Sequence, residues 1–229
     1  MLGCEPTLYA SSRTDAGVHA RGLPVLFYTD KNIPTHGFEL GLNSITPGDI
    51  SILQAVEVAD DFNVRSSARG KRYCYRIHNG RHAAALQSRY RWHLPYFLDI
   101  DAMKTAAEAL VGEFDFSSFR AAGCQARSTQ RRIDRIEINQ DHRPEVHITV
   151  EGNAFLQHMV RIIVGSLIEV GRGARAVEWL SDALAACDRR AAGPTAPPHG
   201  LFLEQVYYDP APFSVEHWTQ SLAPSVDSA

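Results

Sequence analysis

The clearest rhythm in the chain is "KRYCYRIH" (71–78), where Tyr73, Tyr75 and Ile77 alternate with other residues at the period of a half-buried strand. The spacing then becomes helical in "DIDAMKTAAEALVG". Apolar Met103, Ala106, Ala107, Leu110 and Val111 share a face, Asp99 or Asp101 is placed as N-cap, and Gly112 closes the helix. "RRIDRIEIN" and "EVHITVE" read as two strands joined into a hairpin by the turn-rich "QDHRP". A strongly apolar helix is predicted over 154–170, then a shorter one in "ARAVEWLSDALAACD", a "GPTAPPHG" loop and a last strand, "LFLEQVYY". Without the short helix the order is β-α-β-β-α-β. This is the split βαβ, ferredoxin-like unit, two helices over one face of a four-stranded antiparallel sheet.

The first half reads as strand 7–12, strand 24–30, a short helix around 37–42 and strand 50–59, or β-β-α-β. It is the same unit without its first strand and helix. The expected fold class is therefore α+β, with an incomplete ferredoxin-like half over 1–66 and a complete one over 67–229. A sheet short of a strand and a covering helix exposes apolar surface and an unpaired edge, so Met1 is expected not to be the natural start of the functional protein. The halves share no sequence period. The duplication is one of topology only, and the junction at 60–70 is short and basic.

Composition narrows the class. A chain of 229 residues, 45% hydrophobic and 21% charged, with 16 glycines and 12 prolines, is a folded globular protein rather than a disordered or fibrous one. The four cysteines lie at least fifty residues apart without a C-x-x-C, which argues against zinc and against a disulfide framework. No signal peptide opens the chain, so a reducing, cytoplasmic compartment is expected. The longest apolar tract, "AFLQHMVRIIVGSLIEV", is interrupted by Gln157, His158, Arg161 and Glu169 and reads as a buried helix, not a membrane span.

The net charge of −3 hides an asymmetry. From Arg65 to Leu98 there are eight Lys or Arg and no Asp or Glu, with Tyr73, Tyr75, Tyr90, Trp92, Tyr96 and Phe97 interleaved, and Arg120, Arg127, Arg131, Arg132 and Arg135 follow. A solvated face and a polyanion surface both fit this pattern. Cations beside aromatic rings suit splayed or single-stranded nucleic acid, whose bases stack and whose phosphates need countercharge.

Familiar catalytic signatures are absent. "GRGARA" matches G-x-G-x-x-A but follows a helix, so it fails the dinucleotide-binding context. There is no G-x-S-x-G, H-E-x-x-H or P-loop, and the histidines show no ligand spacing. Attention falls on "SSRTDAGVHARG" (11–22), just after the first predicted strand. Asp15 and Gly17 have turn chemistry. Arg13 asks for more: on an extended backbone residues i and i+2 share a face, so Arg13 and Asp15 can pair. A carboxylate held charged with no general acid beside it suits a nucleophile.

The same stretch resembles the G-R-T-D-A-G-V-H-A motif of the TruA-type tRNA pseudouridine synthases, with Ser12 where that family usually has glycine. Further segments are similar in family order: "GLNSITPGDI", "DDFNVRSSARGKRYCYRI", "FSSF", "NAFLQHMVRIIVGSLIEVG" and "AAGPTAPPHGLFL". The resemblance covers nearly the whole chain. It implies that the two halves form a pseudouridine-synthase fold, that Asp15 is the nucleophile, and that Arg13 pairs with it. It also implies that Tyr73 stacks on the target uracil and assists proton removal at C5, that Arg161 is a buried basic residue of the active site, and that Leu201 packs beside the nucleotide. Phe62, Arg65, Gln125 and Arg127 match segments that contact tRNA. The implied activity is isomerisation of uridine on the 3′ side of the tRNA anticodon stem-loop, without cofactor or metal, by a homodimer. A catalytically impaired RNA-binding fragment of such an enzyme is the competing reading. A glycosidase is a weaker third, since it usually needs two cooperating carboxylates.

Overall fold

The computed structural model describes residues 3, 5–140 and 143–213. They pack as two compact units. The smaller gathers the residues up to Ser11, Pro24–Ala68 and those from Tyr207 on; the larger comprises Ser12–Leu23 and Arg69–Val206. The break after Ala68 lies close to the expected boundary at 66. The Asp15 segment, expected in the N-terminal half, instead groups with the larger unit.

In the smaller unit β1 (Tyr9–Ala10) pairs with β3 (Val25–Leu26) in a two-stranded antiparallel sheet, and α1 spans Thr35–Asn43. The expected strand over 50–59 does not form. Asn43 holds Ile52 through both its backbone groups, at 2.9 and 2.7 Å, and Glu39 accepts from the Ala55 amide at 2.8 Å. Side chains of α1 thus capture the hydrogen bonds a ladder would use. Leu8, Tyr28, Leu40, Ile45, Ile50 and Leu53 are left exposed. Tyr208 closes the unit elsewhere, donating to the Val64 carbonyl at 2.8 Å with its ring against Phe62.

The larger unit is built on β4 (Ala68–His78), α2 (Ile100–Glu108), β7 (Gln130–Asn139), β8 (Glu145–Gly152), α3 (Met159–Gly171) and β9 (Leu201–Tyr208). Three short strands, absent from the sequence reading, complete its sheet: β2 (His19–Ala20), β5 (Trp92–His93) and β6 (Gly112–Asp115). The sheet order is β2-β9-β4-β8-β7-β6, with β5 beside β4. Alternation along β4 buries Tyr73, Tyr75 and Ile77 as expected, and Asp99 is the α2 N-cap, accepting from the Ala102 amide at 2.9 Å. Asp141 and His142, in the predicted "QDHRP" turn, lie outside the described residues.

Helix α2 packs on α3 and β7. Methionine 103 of α2 lies so close to Gly171 of α3 that a Cβ there would stand 2.5 Å from its sulfur. Two expected helices are shorter than predicted. The apolar helix starts at Met159 rather than Ala154, because His158 adopts a left-handed backbone (φ 62°) that no helix can incorporate. The next, α4, spans only Trp179–Ala185. Among the described residues no helix is long and apolar enough to cross a membrane.

Candidate active site

Asp15 follows β1 on irregular backbone and opens a β-turn closed by the Val18 amide on its carbonyl at 3.0 Å. Gly17, third in that turn, has φ 83°, as a type II turn demands. A Cβ on it would also stand 3.1 Å from Pro198. Immediately afterwards β2 pairs in parallel with β9, His19 opposite Phe202 and Ala20 opposite Leu203, and the Arg21 amide donates to Leu203 at 2.8 Å. The acid is therefore fastened, four residues downstream, to the start of β9. Leu201, the first residue of that strand, is buried.

The side chain facing Asp15 comes from the first turn of α3. Arg161 donates from Nη1 to Asp15 Oδ2 at 2.8 Å and from Nε to the Ala196 carbonyl at 2.8 Å. The Ala196 amide in turn donates to the Arg161 carbonyl at 3.0 Å. The loop before β9 is held tightly to α3: a Cβ on Gly165 would collide with the Pro194 carbonyl oxygen, and Ser166 Oγ accepts from the Gly193 amide at 2.9 Å. Small residues on one helix face thus bring the "GPTAP" backbone close enough to orient the guanidinium. A second side chain, His158, places Nε2 3.4 Å from the same Asp15 oxygen.

Tyr73 stands on β4, 8% exposed, its ring edge-on to Phe155 with centroids 5.2 Å apart. Burial pushes its phenol up to about 12, the Asp15 charge adding to the effect and the Ser12 hydroxyl working against it. Tyr73 is therefore a neutral hydroxyl across the physiological range. Its neighbour Tyr75, on the same face of β4, is fully buried and donates to the Pro197 carbonyl at 2.8 Å, supporting the loop before β9.

The expected Arg13 to Asp15 pair is not formed. Arg13 is exposed and makes no ion pair among the described residues, whereas Arg161, 146 positions away in sequence, takes the carboxylate. The reason is local: the backbone at 12–15 is not a strand, so i and i+2 are not obliged to share a face. Of the residues expected to meet tRNA, Arg65 is exposed with Nε on the Ala10 carbonyl at 2.9 Å and Phe62 is half-buried. Gln125 and Arg127 are exposed on the loop before β7.

The basic runs are less bare than their sequence windows imply. Arg72 pairs with Glu151, Arg76 with Glu204, Arg91 with Glu145 and Arg135 with Glu151, each acid arriving on a different strand or beyond the window. Arg65, Arg69, Arg81, Arg89, Arg120 and Arg127 form no ion pair among the described residues. His158 was missed by sequence reasoning, which saw only a polar break in an apolar tract. A non-glycine residue forced left-handed beside an acid becomes visible only in three dimensions.

Comparison with known proteins matches the sequence to a family. The profile described as tRNA pseudouridine synthase matches residues 106–209. The tRNA pseudouridine synthase A of Myxococcus xanthus is 44% identical over 212 residues, 93% of this chain and 80% of its own length. That of Geobacter sulfurreducens is 47% identical over 201 residues, 88% and 82%. That of Moorella thermoacetica is 46% identical over 208 residues, 91% and 84%. With relatives this similar, spanned over four-fifths of their length, the chain belongs to the tRNA pseudouridine synthase family, a family of isomerases.

Proposed function

We propose that the chain converts uridine to pseudouridine on the 3′ side of the tRNA anticodon stem-loop, with Asp15 as nucleophile. The observation that carries this reading is the doubly anchored Asp15–Arg161 pair, on a turn fixed to β9. The reaction detaches uracil from C1′, rotates it and rejoins it through C5. A paired or stacked target must first be extruded, which costs a few kcal/mol and calls for a pocket that stacks the base. Tyr73 and Leu201 are suited to line that pocket. With its phenol pushed up to about 12, Tyr73 enters the cycle as a neutral stacking and hydrogen-bonding group, and a role in removing the C5 proton would need its proton to leave during turnover. Attack by Asp15 at C1′, attack at C6 and a glycal route all use the same carboxylate. Arg13, exposed on the Asp15 segment, is free to follow the flipped nucleotide, and no cofactor takes part.

Within this reading the strand order β9-β4-β8-β7 with α2 and α3 supports a complete ferredoxin-like second half. The first half is read as its incomplete counterpart. The enzyme works in the cytoplasm as a homodimer that holds tRNA through Phe62, Arg65, Gln125 and Arg127. Tritium release from tRNA labelled at uridine C5 tests the activity: release supports the synthase, and tRNA binding without release supports the impaired RNA-binding reading.

Salt dependence checks the docking surface. The unpaired arginines are the ones able to release counterions, and each phosphate contact lowers affinity by about threefold between roughly 50 and 200 mM salt. A loss of about tenfold or more over that range is expected in a filter-binding titration. Binding that is flat with salt would remove these arginines from the interface.

A further inference from the structure

We propose that His158 is a second positioning residue for Asp15. It acts with Arg161 on one carboxylate oxygen, so that the other, Oδ1, is the oxygen that meets the nucleotide. The proposal rests on the reading of Asp15 as nucleophile.

Three observations carry it. First, Arg161 Nη1 at 2.8 Å and His158 Nε2 at 3.4 Å both address Oδ2, and no hydrogen bond or ion pair among the described residues engages Oδ1. The guanidinium hydrogen bond and the imidazole within ion-pair reach both hold Oδ2 and leave the second oxygen for chemistry. Second, the His158 ring is not used by its own helix. It precedes α3 without any side-chain capping bond, and its backbone carbonyl already accepts from the Ile162 amide at 2.9 Å. Third, the φ of 62° is a conformation that glycine adopts freely and that a side chain makes costly. If the position served only to start α3, glycine would serve it better. The left-handed turn instead swings an imidazole toward the acid, to within 3.4 Å of Oδ2.

The groups facing His158 are then Asp15 from the turn and Arg161 from the next positions of α3. A donor at Nε2 completes the set; an acceptor or an anion there would compete with Asp15 for Arg161. This makes the chemistry of position 158 separable from its backbone geometry, because asparagine and aspartate are nearly the same size and both tolerate the left-handed region.

The test compares His158→Gly, His158→Asn and His158→Asp in the tritium-release assay, with tRNA affinity and thermal melting measured on each and Asp15→Asn run alongside. Expected are a kcat about tenfold below wild type for His158→Gly with KM for tRNA within about twofold, and His158→Asn within about threefold of wild type. His158→Asp is expected to lose about a hundredfold or more in kcat. If His158→Gly keeps wild-type kcat, or if the Asn and Asp variants turn over equally, the ring has only a backbone role and the proposal falls. Should the glycine variant melt early, the Asn and Asp pair decides alone. Turnover by Asp15→Asn would overturn the nucleophile reading and this proposal with it, whereas a dead Asp15→Asn beside fully active His158 variants would overturn only the positioning role.

Discussion

Replacing Asp15 by asparagine is expected to abolish pseudouridine formation, by roughly four orders of magnitude or more, while tRNA affinity stays within a few-fold of wild type. The amide matches the carboxylate in size, and its carbonyl oxygen can still accept from Arg161 Nη1, so the α3 contact and the loop around Ala196 keep their places. What disappears is a charged oxygen able to form and release a bond to the nucleotide. Phosphate contacts dominate nucleic-acid affinity, and Asp15 makes none, so binding has no reason to fall. Single-turnover tritium release with a parallel binding titration checks both halves of the expectation. Turnover near wild type would show that the carboxylate is a structural turn residue after all.

The reach of the sequence can be judged from the same residues. Asp15 was legible because its turn chemistry is local, and β4, α2 and β9 were legible because period and capping are local too. The strands β2, β5 and β6 were not, since two to four residues carry no period and are strands only because a neighbour offers a ladder. The predicted strand over 50–59 failed for another reason: Asn43 and Glu39 took its backbone groups. The charge reading had the same horizon. A window from 65 to 98 contains no acid, yet Glu145, Glu151 and Glu204 reach into it from other strands. Spacing along the chain and the resemblance both point to Arg13 as the partner of Asp15; in space the partner is Arg161. The resemblance supplied Arg161 as an active-site residue, but neither the resemblance nor the spacing supplied its second anchor at Ala196 or the histidine beside it.

That second anchor makes Arg161→Lys the sharper experiment on the site. If Arg161 serves only as a positive charge, lysine should replace it. The geometry argues otherwise, because the planar guanidinium spends Nε on the Ala196 carbonyl and Nη1 on Asp15 Oδ2, both at 2.8 Å, while an ammonium is a point donor that cannot span the two in that fixed fork. Lysine at 161 must release either the loop before β9 or the carboxylate. Releasing the carboxylate leaves Asp15 free to rotate, and displacing a reacting group by about 1 Å costs on the order of a hundredfold in rate. Releasing the loop leaves the Ala196 carbonyl unpaired in a part-buried setting, at about 1–3 kcal/mol. The two outcomes separate in measurement. A kcat lowered about a hundredfold with an unchanged melting temperature says that lysine kept the loop and lost the acid. A melting temperature lowered by several degrees with a smaller loss of kcat says the reverse. Wild-type values for both would show that charge alone holds Asp15, and that the loop pressed against Gly165 and Ser166 keeps its shape without the arginine.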